Sequence, residues 1–136
     1  MPFLAGEVGV DPDRIACWGA SYGGYMTTLT VTRAPEVCRA ACPGTASRTG
    51  RSSRSRTSGA RAPLLILQGT DDDGVLPAQG EALYDAMRQA ARTVEYVAYT
   101  GEGHGFRQLG SQRDLYERVL AFLEAHNTFR GRDEDR

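Results

Sequence analysis

The chain contains no lysine. Its basic residues are sixteen arginines, and against 17 acidic residues they leave a net charge of -1. That balance excludes a general attraction to nucleic acid or to an anionic membrane surface. The one-sided use of arginine is read as codon bias, not as a binding device. No apolar run reaches the roughly 20 residues needed to cross a bilayer. Residues 1–7 (Met1-Pro2-Phe3-Leu4-Ala5-Gly6-Glu7) carry no basic n-region and no apolar stretch, so a signal peptide is not expected. Cysteine is scarce: Cys17, Cys38 and Cys42 are an odd set without a Cys-x-x-Cys pair. A metal site on Cys38 and Cys42 would have no third or fourth ligand nearby. Cys17 should behave as a small buried apolar residue. The set fits a reducing cytoplasm. Histidine is scarcer still, at two residues, which narrows any search for a catalytic base.

What is present reads as one α/β domain over 136 residues. After the turn signal Asp11-Pro12-Asp13, residues 14–18 should form a short buried strand, and residues 25–33 a helix ending before Pro35. Residues 38–42 are a second short apolar run, closed by Pro43-Gly44. The continuous apolar run Pro63-Leu64-Leu65-Ile66-Leu67-Gln68 is the signature of a parallel strand covered on both faces. Pro77 can open a helix whose buried face carries Leu83, Ala86, Met87 and Ala90. Residues 93–100 alternate as a fourth strand, with either Val94 and Tyr96 or Val97 and Tyr99 facing inward. Ser111 should cap a last helix with the stripe Leu115, Val119, Phe122 and Leu123. Residues 45–61 are expected to be a disordered Arg/Ser-rich loop and residues 127–136 a charged tail. Arginine and serine alternate in RNA-binding tails too, but five arginines in a near-neutral chain do not make a nucleic-acid arm.

The chemistry gathers at Gly19-x-Ser21-x-Gly23, between the first strand and the first helix. A serine in such a turn takes strained backbone angles, and glycine two positions to either side should relieve a collision and lift the hydroxyl clear of the sheet. That is the nucleophile elbow of α/β-hydrolases. A serine hydroxyl needs a base. His126 falls among polar residues at the end of the last helix, where a solvated cap is expected. His104 lies in the glycine-bracketed loop Gly101-Glu102-Gly103-His104-Gly105-Phe106 after a strand. The acid is sought on the loop after Leu67, where Asp72 is taken as the partner and Asp71 and Asp73 as solvated neighbours. Ser21, Asp72, His104 is the chain order of the hydrolase arrangement.

These blocks carry a specific resemblance. Residues 11–16 (Asp11-Pro12-Asp13-Arg14-Ile15-Ala16), Trp18-Gly19-Ala20-Ser21-Tyr22-Gly23-Gly24-Tyr25-Met26, residues 62–69 and Gly101-Glu102-Gly103-His104-Gly105-Phe106 resemble the catalytic domain of the prolyl oligopeptidase family of serine peptidases. The family's acid-bearing turn is matched by Gly69, Asp72 and Val75, which favours Asp72 over its neighbours. The resemblance implies the second half of an α/β-hydrolase fold, about four mostly parallel strands with flanking helices. It implies a peptide or acyl-ester substrate cleaved through an acyl-enzyme without a metal or organic cofactor, with the backbone N–H of Tyr22 as one oxyanion donor. The second donor should come from a loop after an earlier strand, which this chain does not contain. A truncated fragment of reduced or no activity is therefore expected, with an exposed elbow strand inviting self-association. A small esterase completed by dimerisation and a non-catalytic binding remnant are the competing readings.

Overall fold

The computed structural model describes residues 9–44 and 60–126. Expectations for residues 45–59 and for the tail from Asn127 lie outside the described residues. A short 3-10 turn, Pro12–Arg14, is the first element among the described residues, with the Asp11 carboxylate accepting from the Asp13 N–H at 2.9 Å. It takes up Arg14, so the first strand, β1, runs Ala16–Ala20 and starts two residues later than the apolar pattern suggests. Helix α1, Tyr22–Arg33, begins directly after Ser21, three residues earlier than expected. Strand β2 is Ala40–Gly44, β3 is Leu64–Gly69, helix α2 is Pro77–Gln89, β4 is Val94–Tyr99 and helix α3 is Leu109–His126. Pro77 opens α2 as expected. Ser111 does not cap α3; it sits within the first turn, and the helix starts at Leu109.

The four strands pair in the order β1-β2-β3-β4, all parallel. Consecutive residues of β3 serve opposite faces, so Leu64 and Ile66 join α1 and α2 in one core, with Val31, Leu83 and Met87. Leu65 and Leu67 join α3 in the other, with Tyr99, Val119 and Phe122. Burial of each such side chain stabilises the fold by about 1.5–3 kcal/mol. Strand β4 answers the open question about its inward face with both sets. Val94 and Tyr96 pack on the first core, Val97 and Tyr99 on the second.

Pro43 does not close β2 but lies inside it, opposite Gly19. The Ala41 N–H points to β3, where it meets the Pro63 carbonyl at 3.0 Å. Pro43, two residues on, faces the same way and has no N–H to give. The β2–β3 register accordingly holds at Ala41 with Leu64 and at Gly44 with Leu67, and skips between. Ala60, within the span expected to stay out of the core, is fully buried in it.

Cys17 corrects a second expectation. It is not a free apolar filler but is joined to Cys38 in a disulfide, with the two Cα atoms 6.2 Å apart. The bond ties β1 to the residues entering β2. Cys42 is free and buried on the opposite face of the sheet, where burial and then the Glu95 charge push its thiol up to about 12.

Candidate active site

The site forms where β1, β3 and β4 end at the same rim of the sheet. Strand β1 stops at Ala20, and Ser21 turns the chain into α1 with φ 55° and ψ -122°. This is a conformation that residues with a side chain rarely adopt. The turn folds Gly19 tightly against Gly23: a Cβ on Gly19 would lie 2.6 Å from the Gly23 carbonyl carbon and oxygen. The converse does not hold. A Cβ on Gly23 would meet nothing within 4 Å. The expected relief of collision is therefore a property of Gly19 and of the backbone at 23, not of both glycines equally.

Beyond β3 the chain makes a tight turn around one carboxylate. Asp72 is 2% exposed, and its Oδ1 accepts from the N–H groups of Gly74 at 2.9 Å and Val75 at 2.7 Å. The second of these contacts accounts for the spacing of Asp72 and Val75. Asp71 instead takes the Thr70 hydroxyl at 2.9 Å on the surface, and Asp73 is exposed. His104 comes from the loop after β4. Its Nδ1 lies 2.9 Å from Asp72 Oδ1 and 3.2 Å from Oδ2, and its Nε2 lies 2.9 Å from Ser21 Oγ. A carboxylate only accepts, so the proton sits on Nδ1 and Nε2 is left to accept from the serine hydroxyl. The structure thus brings Ser21, Asp72 and His104 into one hydrogen-bonded line. Tyr22, the first residue of α1, sits beside Ser21 with its ring exposed. His126 ends α3 and packs on Phe122, with ring centroids 4.5 Å apart. An apolar cavity of about 300 Å³ adjoins His104, walled by Ala20, Leu67, Phe106, Leu115 and Tyr116.

Two polar residues that the sequence reading passed over hold this site. Gln68 is fully buried at the end of β3, donating to the Val75 carbonyl at 3.0 Å and to that of Gly69 at 3.2 Å, which pins the aspartate turn. Glu102 is 2% exposed and accepts from the Arg107 N–H at 2.7 Å and the Gln108 N–H at 3.0 Å. Burial alone would raise its carboxyl, but those donors, the Ser111 hydroxyl and the Arg107 charge hold it below the usual carboxylate range. A glutamate beside a glycine-flanked histidine was the available signal. Nothing in its neighbours marked it as buried. Among the described residues no cluster of three His, Cys, Asp or Glu is placed to hold a metal ion, and no helix is long and apolar enough to cross a membrane.

The family model for the prolyl oligopeptidase family matches residues 2–49 and 44–129. The chain belongs to the prolyl oligopeptidase family. Dipeptidyl aminopeptidase BIII of Pseudoxanthomonas mexicana is 29% identical over 69% of this chain and 19% of its own length. The carboxylesterase SOBER1 of Arabidopsis thaliana is 31% identical over 71% of this chain and 43% of its own. Among solved structures, a puromycin-hydrolyzing peptidase of Mycobacterium tuberculosis superposes with a TM-score of 0.84 and 25% identity, covering 94% of this chain and 24% of that one. The chain thus shares part of an α/β-hydrolase fold with these peptidases and is similar in sequence to a carboxylesterase as well. It spans about a fifth of the dipeptidyl aminopeptidase and less than half of the carboxylesterase.

Proposed function

We propose that this chain carries the reacting groups of a serine peptidase that cleaves peptide bonds through an acyl-enzyme. Ser21 is the nucleophile, His104 the base and Asp72 the residue that orients the imidazole. The observation that carries the reading is the unbroken line from Asp72 through His104 to Ser21, both steps at 2.9 Å, with the serine on a strained elbow. Ser21 Oγ attacks the scissile carbonyl while His104 Nε2 takes its proton. The same proton passes to the leaving amine as the acyl–serine ester forms. Water, deprotonated by the same nitrogen, then releases the acid and restores Ser21. The Tyr22 N–H, at the amino end of α1, faces the oxyanion as one donor. One such donor is worth about a hundred- to a thousand-fold in rate.

Peptides are favoured as substrate because the family match and the dipeptidyl aminopeptidase relative point there. The carboxylesterase relative and the edge position of β1 support a second reading, an esterase completed by dimerisation. A fluorophosphonate probe tests the first step. The intact chain should be labelled at Ser21, and Ser21→Ala or His104→Ala should abolish the label. Cleavage of a dipeptide anilide then identifies a peptidase, whereas turnover of p-nitrophenyl esters alone identifies an esterase. An intact chain that takes no label, and a partner bound equally by Ser21→Ala, would sink both readings and leave a binding remnant.

A further inference from the structure

We propose that Glu102 is a positioning residue for His104, its buried carboxylate setting the shape of the loop that presents the imidazole. The inference deepens the reading of His104 as the base and rests on it. His104 stands between Gly103 and Gly105, two residues that do little to fix a backbone. The loop nevertheless holds the ring within hydrogen-bond distance of two partners on two other elements. Its restraint comes from both ends of Glu102.

The Glu102 carbonyl accepts from the Asp71 N–H at 2.9 Å, fastening the residue before His104's glycine to the turn that carries Asp72. That contact is close enough that a Cβ on Gly69 would sit 2.3 Å from the same oxygen. The Glu102 side chain runs the other way and grips Arg107 and Gln108, the residues leading into α3. The segment 103–106 is therefore a short arch whose two feet are held by one residue. A carboxylate is suited to this, because both oxygens accept and neither needs a donor of its own. Glutamine in its place presents an NH2 group to a backbone N–H and must lose one of the two bonds that hold the foot at Arg107 and Gln108.

A role limited to capping α3 predicts lower stability with His104 unmoved. Proton NMR separates the two. The downfield proton of His104 Nδ1–H, donated to Asp72, should be sharp in the intact chain, and His126→Asn leaves His104 as the single imidazole in the spectrum. In folded Glu102→Gln that resonance should broaden or vanish. Any ester turnover should fall about ten- to a hundred-fold in kcat with KM unchanged. An unchanged resonance in the folded variant overturns the proposal. If Glu102→Gln does not fold, Ser111→Ala, which removes one donor to the carboxylate, decides in its place. Broadening there supports the arch, and an unaltered signal overturns it. Loss of probe labelling at Ser21 while the resonance persists would instead count against the hydrolase reading and leave the arch standing.

Discussion

Single atoms decide the site, and the two glycines of the elbow show how unequally. Gly19→Ala drives a methyl group to 2.6 Å from the Gly23 backbone, which cannot retreat without breaking the first turn of α1. Such overpacking costs about 1–3 kcal/mol and should abolish probe labelling at Ser21. Gly23→Ala meets open space among the described residues, lies inside α1, and should raise stability by about 0.5–1 kcal/mol through the better helix former. Urea denaturation of both variants checks the pair, and equal losses would contradict the asymmetry. Gly74 is the third such position. A Cβ there would lie 2.8 Å from His104 Nδ1. The ring can swing away, so Gly74→Ala should leave the melting temperature nearly unchanged while cutting activity on the order of a hundred-fold. Retained activity with an intact Asp72–His104 contact would refute that.

Elements repeat the lesson that local pattern sets identity while tertiary contact sets boundaries. The unbroken run Leu64 to Leu67 announced a strand buried on both faces, and the resemblance of Gly69, Asp72 and Val75 to a family turn pointed to Asp72 among three aspartates. Both are local. Arg14 left the first strand because a 3-10 turn claimed it, and Pro43 entered β2 because one missing donor is tolerated where the ladder skips. Gln68 and Glu102 stayed illegible because a polar residue looks solvated until another loop closes over it. Ala91 went unread for a similar reason: it follows α2 with φ 52°, where the Arg92 N–H reaches back to the Met87 carbonyl at 2.9 Å. A left-handed alanine costs about 1–2 kcal/mol, so Ala91→Gly should stabilise the chain by about 1 kcal/mol after its own entropy loss. Denaturant midpoints measure it. The seam between β4 and α3 should respond to pH. Tyr99 donates to Asp114 at 2.9 Å, and Arg118 binds the same oxygen at 2.6 Å. The Arg118 and then the Tyr99 hydrogen bond hold the Asp114 carboxyl below its ordinary value, against partial burial. A lowered folded pKa stabilises fully above the ordinary value of 3.8 and is lost as pH falls through the depressed one. Wild type should therefore melt higher than Asp114→Asn at neutral pH, and the two curves should converge in acid.

At the scale of the whole molecule the asymmetry lies in β1, which among the described residues is paired on one side alone. Among the described residues, strands β2 and β3 are paired on both sides and β4 is the far edge, so the elbow strand, which leads to the nucleophile, ends the sheet on the other. Edge strands of this kind present a row of unpaired backbone groups that can template another chain. Beside this edge the surface is apolar: Trp18 is 51% and Tyr116 56% exposed, and their rings meet edge-on at 5.7 Å. Any strand added to β1 would change the surroundings of Trp18, and Trp18 is the single tryptophan of the chain. Its emission is thus a direct reporter of the edge. If copies associate there, emission should move to shorter wavelength as concentration rises from micromolar to hundreds of micromolar, in step with a rise in sedimentation coefficient. Tyr116→Lys places a charge against the indole while leaving the residues of β1 unchanged and should cancel both changes. Emission that stays constant while the sedimentation coefficient rises would place the association elsewhere, and a monomer at every concentration would remove dimerisation as the route by which this sheet edge is covered.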